Sequence, residues 1–163
     1  LTIQDSGSIV TGLALTNGRE SGVAIAAGRH RLERCLIAGN RASGIVVSGP
    51  PGTGVELNHC TIADNPLAAI FLQSGPARLV VRNSIIAFND RALALDSAVA
   101  PAQTLLERNC LHNLDPESDR VLAGKTGILA DPAFLARSSD YRLSPESPCL
   151  NKTPERNDLG CFP

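Results

Sequence analysis

The feature that most constrains this 163-residue chain is an internal repeat. Leu32, Cys35, Ile37 and Asn40 recur as Leu57, Cys60, Ile62 and Asn65, and once more as Val81, Ser84, Ile86 and Asn89. A period of roughly 25 residues specifies stacked units that bury their faces against one another, not one compact globule. Each copy carries two apolar pulses. The first ends at Cys35 and Ile37, Cys60 and Ile62, or Ser84 and Ile86, and closes on Asn40, Asn65 or Asn89. The second follows as Ile45 and Val47, Ile70 and Leu72, then Leu93 and Leu95. Each pair is separated by one residue, the period of a strand. The pulses are too short for amphipathic helices and are bounded by Gly, Pro, Asn and Ser, which punctuate turns.

A chain of strands that returns at this interval is a coil whose equivalent strands pair in parallel, each coil rising by about 4.8 Å. The recurring asparagine then has a double role. It tolerates left-handed backbone angles in a turn, and its amide bonds to its copy in the next coil, so Asn40, Asn65 and Asn89 are predicted to form a ladder. Cys35, Cys60 and Ser84 are expected to stack inward beside it as small buried groups. One strand spacing lies within disulfide range, but side chains in register point in parallel, so Cys35 and Cys60 are expected to be free thiols.

These rungs resemble the right-handed parallel β-helix proteins of the pectate-lyase-like superfamily. The resemblance rests on His59, Cys60, Ile62 and Asn65 with their copies, and on Ser43, Gly44, Ile45 and Val47 after the asparagine. Asp131, Pro132 and Phe134, then Asp140, Tyr141, Leu143, Pro145, Pro148 and Cys149, then Asp158, Leu159 and Gly160, look like the closing segment of secreted bacterial β-helix proteins. What this implies is an all-β fold, a right-handed parallel β-helix with coils of about 24 residues. The coils are expected over 1–127 and an irregular C-terminal cap over 128–163. The resemblance also implies a secreted or cell-surface bacterial protein. The rung pattern is specific for fold and says little about activity.

Fourteen glycines, 11 prolines and the lack of Met and Trp fit one turn-rich domain. A formal net charge of −1 gives no electrostatic reason to expect nucleic acid or an anionic membrane as partner. No apolar run approaches the roughly 20 residues of a membrane span, and no signal peptide is visible. The chain opens inside a coil, with residues 12–17 as an early, less regular rung, so further coils of the same parent chain are expected upstream. Of the five cysteines, Cys149 and Cys161 bracket the closing loop and are the candidate disulfide, whereas Cys35, Cys60 and Cys110 read as rung positions. No Cys-x-x-Cys occurs and no histidine lies near either loop cysteine, so neither zinc nor a cofactor is assigned.

Two residues between the inward Leu32 and Cys35 form a corner at which both point outward. Their columns read Glu33, Asn58, Arg82 and Glu107 and, beside it, Arg34, His59, Asn83 and Arg108; matching Cys110 to Ser84 instead would shift the last rung by one. Arg34, Asn58, His59, Arg82, Asn83, Glu107 and Arg108 are therefore the candidate substrate-binding residues. Arginine forks suit carboxylates, and Asn or Glu suits hydroxyls, so such a stripe fits an extended acidic polysaccharide. A solvated face laced with ion pairs has the same composition. His59 is the candidate base for proton abstraction beside a uronate carboxylate, since the only lysines, Lys125 and Lys152, lie in the tail. Glycoside hydrolysis needs two facing carboxyls. Asp64 and Asp90 flank the asparagine ladder but match no paired motif, and turn formation is their simpler role. Phe71 is expected to face out one level above Val46, covered by a loop or by the returning tail.

The function this points to is a carbohydrate-contacting β-helix scaffold with no demonstrable catalytic motif. Two other classes fit the same residues: a polysaccharide lyase or glycoside hydrolase with part of its site in upstream coils, and an adhesin or spacer.

Overall fold

The computed structural model describes residues 1–5, 7–73, 78–96 and 103–162. Its strands fall into successive three-strand coils. The first holds β1 (Thr2–Ile3), β2 (Ile9–Thr11) and β3 (Ala14–Thr16), and the second β4 (Val23–Ile25), β5 (Arg29–Glu33) and β6 (Leu36–Ala38). The third holds β7 (Ile45–Val47), β8 (Gly54–Asn58) and β9 (Thr61–Ala63), the fourth β10 (Ala68–Leu72), β11 (Arg78–Arg82) and β12 (Ile85–Ala87). The fifth holds β13 (Arg91–Leu95), β14 (Gln103–Glu107) and β15 (Cys110–His112). Helix α1 (Pro116–Ala123), β16 (Ile128–Leu129) and the hairpin of β17 (Phe134–Ala136) and β18 (Asp140–Leu143) follow.

Equivalent strands pair in parallel into three long sheets. Sheet A is β1-β4-β7-β10-β13, sheet B is β2-β5-β8-β11-β14, and sheet C is β3-β6-β9-β12-β15-β16. The register is the sequence offset itself: Leu32 lies opposite Leu57, and Leu57 opposite Val81. Leu15, Ile37, Ile62, Ile86 and Leu111 form one inward column, and Val23, Ile45, Ile70 and Leu93 another. Most of these side chains are fully buried, and each contributes about 1.5–3 kcal/mol.

Two sharp corners per coil separate the short strands of sheet C from their neighbours. Gly12, Arg34, His59, Asn83 and Arg108 occupy the first with φ of 50° to 67°, and Asn17, Gly39, Asp64 and Phe88 the second with φ of 53° to 63°. The left-handed turn aims each first-corner amide at the next coil: Arg34 N donates to Asn58 O, His59 N to Arg82 O and Asn83 N to Glu107 O.

Immediately after the second corner stands the asparagine ladder. Oδ1 of Asn65 accepts from both the backbone N and Nδ2 of Asn40, Asn89 serves Asn65 in the same way, and all distances are 3.0–3.1 Å. The ladder runs one rung beyond the sequence expectation. Asn113 accepts from Asn89, and its own N and Nδ2 donate to the buried Asp119 carboxylate. Asp119 lies in the first turn of α1, where the helix dipole favours a negative charge. A second buried column runs alongside, in which Cys60 N donates to Ser84 Oγ and Ser84 N to Asn109 Oδ1.

Three sequence expectations change here. The range expected for coils contains a helix, α1, capped by the Asp115 side chain, whose Leu122 and Ala123 enter the main core cluster at its end. The rung pattern also persists past 127, because β16 pairs with β15. Cys110 is not an inward rung: it lies opposite Ile85 on the outer face of sheet C, and Asn109 takes the place equivalent to Ser84. Glu107 therefore follows Arg82 in the corner column, with no shift of the last rung.

Residues 131–162 form a strap along the outer face of sheet C. Ile85, Ala87 and Cys110 pack with Cys149 and Leu159, while Ala38 and Ala63 pack with Tyr141. Gly160, with φ of 88°, crosses so close that a Cβ would sit 2.7 Å from Thr61 Oγ1 and 2.8 Å from Ile85 Cδ1. All five cysteines are buried free thiols, so the Cys149–Cys161 disulfide is not formed. Cys149 instead packs with Cys110, whose thiol donates to Ala130 O at 3.4 Å, and the neighbouring Cys149 sulfur together with burial pushes the Cys110 thiol up.

Replacing Asn65 with Ala is expected to leave the Asn40 N–H and one of its two Nδ2 hydrogens without an acceptor and to cost about 3 kcal/mol, measured by urea unfolding. Leu122→Ala, which opens a cavity at the closed end, is expected to cost a similar ~3 kcal/mol.

Candidate functional site

The outward residues of sheet B alternate with its core residues. Arg29, Arg31 and Glu33 of β5 register with Gly54, Glu56 and Asn58 of β8, then with Arg78, Val80 and Arg82 of β11. The projected first column is therefore present, since Glu33, Asn58, Arg82 and Glu107 are successive Cα partners. The second column, Arg34, His59, Asn83 and Arg108, occupies the left-handed corner beside it.

Most of these side chains are joined in one network. Asn83 donates to Asn58 and accepts from Arg108, each at 3.0 Å. Arg108 lies 3.6 Å from Glu107, which pairs with Arg82 at 3.2 Å. Arg82 reaches Glu56 at 3.3 Å, and Glu56 pairs with Arg31, which also holds Glu33. These partly exposed pairs add little stability individually, but together they hold long side chains extended across four coils. Glu56 and Arg31 were not among the residues expected from the sequence. The signal was there, because both occupy the alternate outward position two residues before the corner column.

Arg34 and His59 stand apart from that network. With residues 157–162 of the strap they line a crevice of about 30 Å³, a volume for water and not for a sugar ring. The His59 ring is half-buried; loss of solvent and the nearby Arg34 charge lower its pKa from 6.5, against a bond to the Asp158 backbone that raises it. The strap thus fences one side of the candidate base. The strap, which has no periodicity, could not be placed on this corner from the sequence.

Asp64 and Asp90, at the ladder's flanks, do not face each other as an acid and base pair. The Asp64 carboxylate accepts from Arg137 Nε at 2.8 Å and Tyr141 Oη at 2.8 Å, fixing the strap hairpin, and Asp90 pairs with its neighbour Arg91. Burial and the Asp64 carboxylate push the Tyr141 hydroxyl up, so it remains a donor. Arg137 stacks 4.1 Å above the Phe88 ring, and Phe88 continues into a tilted and edge-to-face series with Phe134 and Tyr141 of the hairpin itself. Phe71, beside Val46 on the outer face of sheet A, is only partly buried; the strap lies on sheet C and does not cover it. Among the described residues no cluster of three metal-ligating side chains occurs, and no helix is long and apolar enough to cross a membrane.

Parallel strands stacked at a constant register, polar ladders inside and a strap along one face define a β-solenoid repeat domain. The chain belongs to the family described as right handed beta helix region, whose model matches residues 1–133 and so ends where the strap begins. No curated protein and no solved structure gives a significant match.

The His59 environment fixes a pH effect. A histidine whose folded pKa lies below 6.5 binds fewer protons in the native state, so the stability it supports is present above pH 6.5 and is lost as pH falls through the folded value. His59→Gln is expected to flatten the melting temperature against pH in that acid window. Tyr141→Phe, which removes the hydroxyl bonded to Asp64, is expected to cost about 1–2 kcal/mol and to speed limited proteolysis within 131–162 before the coils are cut.

Proposed function

We propose that this chain is a carbohydrate-contacting repeat domain of a secreted or cell-surface bacterial protein, with the glycan lying across the outer face of sheet B. The observation that carries the reading is that the corner column of this face, Glu33, Asn58, Arg82 and Glu107, carries a polar or charged side chain at each coil, about 4.8 Å apart, and that no strap residue joins its outward side chains in a core cluster among the described residues. Arginine exceeds glutamate on it: Arg29, Arg31, Arg78 and Arg82 stand against Glu33, Glu56 and Glu107. Guanidinium forks match sugar-borne carboxylates, and Asn58 and the glutamates match hydroxyls. The extracellular setting rests on the likeness of the closing segment to those of secreted β-helix proteins. Catalysis is not part of this proposal, because the fenced His59 is the one base that the sequence nominated.

Affinity electrophoresis through gels containing acidic or neutral polysaccharides tests the proposal. Retardation by acidic polymers is expected, weakened roughly threefold by Arg82→Ala, which removes one fork from a solvent-exposed network. Appearance of cleaved or unsaturated products would favour a lyase or hydrolase instead. Absence of retardation by every polymer would favour an adhesin or spacer.

A further inference from the structure

The sheet B face is not uniform in how its charges are used. Arg31, Arg82 and Arg108 spend their guanidinium groups on Glu33, Glu56 and Glu107. Arg29 and Arg78, at the opposite edge of the sheet, pair with no carboxylate among the described residues; Arg29 donates only to the Gly52 carbonyl, at 3.3 Å. Both line a cleft of about 250 Å³ with Arg31, Glu56 and the backbone of Gly7 and Ser8.

The floor of that cleft is built by Gly54, which lies between Arg29 and Arg78 in the outward column. A Cβ there would stand 2.6 Å from the Arg78 carbonyl oxygen and 2.8 Å from the Arg78 Cβ. Glycine therefore both permits the close approach of β11 and leaves no side chain between the two arginines. Their backbones stand two strand spacings apart, about 9.6 Å, a gap within the combined reach of two arginine side chains. The buried His30 supports the wall: its Nδ1 accepts from Ser8 N and its Nε2 donates to Ala27 O, so both ring nitrogens are spent and neither competes for a ligand. The one carboxylate at the cleft, Glu56, is already shared by Arg31 and Arg82. Two guanidinium groups without a carboxylate partner thus line one open cleft, and their like charges favour an anion held there.

We propose that the Arg29–Gly54–Arg78 cleft is an oxyanion subsite that takes the carboxylate or sulfate ester of one sugar unit; this rests on the glycan-binding reading of sheet B and names the group that anchors it. The anchor thus lies at the edge of the sheet away from the corner column. The shared chemistry is a singly charged oxyanion held by two forks, and neutral sugars gain nothing from it.

Calorimetric titration of the whole chain with a uronate hexasaccharide, its sulfated counterpart, its carboxyl-reduced neutral counterpart and inorganic sulfate tests this. The double variant Arg29→Gln/Arg78→Gln is expected to weaken binding of an acidic hexasaccharide at least about tenfold and to remove most of its salt dependence, with the neutral sugar unaffected. Which acidic ligand is weakened assigns the group as carboxylate or sulfate ester. Arg120→Gln, on the exposed face of α1, is the control and is expected to change nothing. Arg29→Lys/Arg78→Lys keeps the charge without the fork and is expected to fall between, which secures the result should the glutamine variant fold poorly. Acidic binding unchanged in both double variants, or equal binding of the neutral sugar, would overturn the subsite and leave the sheet B reading standing. Binding of inorganic sulfate alone, lost in the double variant, would overturn the glycan reading and make the cleft a free-anion site. No binding of any ligand would overturn both.

Discussion

The interaction on which the rest depends is the buried hydrogen bond from one coil to the same position in the next. Stacked strands satisfy backbone groups within the sheets, but the corners between them leave polar groups inside the protein that water cannot reach. Asn40, Asn65, Asn89 and Asn113 answer this: the last three each accept two bonds from the rung before, Asn40 accepts one from Gly18 N, and every amide donates to a carbonyl. Such a column has no natural end, since its last amide always lacks an acceptor. Asp119 supplies that acceptor with a carboxylate, and the helix that carries it also places Leu122 and Ala123 over the open core. Polar termination and apolar closure are therefore one device.

The same stacking explains why the three sheet faces differ in what they offer. The outer face of sheet C is apolar enough to be buried, as Thr61, Ala63, Ile85 and Ala87 show, and the strap buries it. Asp64 holds the strap at one place and the Thr61 hydroxyl, which accepts from Cys161 N, at another. Sheet B keeps charged residues outward and stays open. The strap thus determines which of these two faces is left uncovered.

Much of the coil was legible because its signal is periodic. The register of Leu32, Leu57 and Val81 and the inward cysteines and serine follow from the offsets alone, as do the two polar columns from Glu33 and Arg34 onward. The continuation of the ladder to Asn113 was also available, since it lies one further period after Asn89, but there the apolar pulse after the asparagine gives way to the helix. That helix was hidden because its eight residues, opening with Pro116 behind the capping Asp115, read equally as a turn. The uninterrupted apolar run of Ile85, Ile86 and Ala87 was a sign that sheet C is covered on both faces, as buried parallel strands are.

By itself the sequence determined the coil: its period, its register, which side chains stack inward and which columns line the corner. Every coil meets nearly the same neighbours above and below, so each column repeats its chemistry at a constant offset. Only the tertiary structure decided where the strap lands, that Cys149 meets Cys110 and not Cys161, and that His59 is fenced while Arg29 and Arg78 are left without carboxylates. Those outcomes depend on contacts such as Asp64 with Tyr141, made once between segments 77 residues apart, and an unrepeated contact leaves no pattern along the chain.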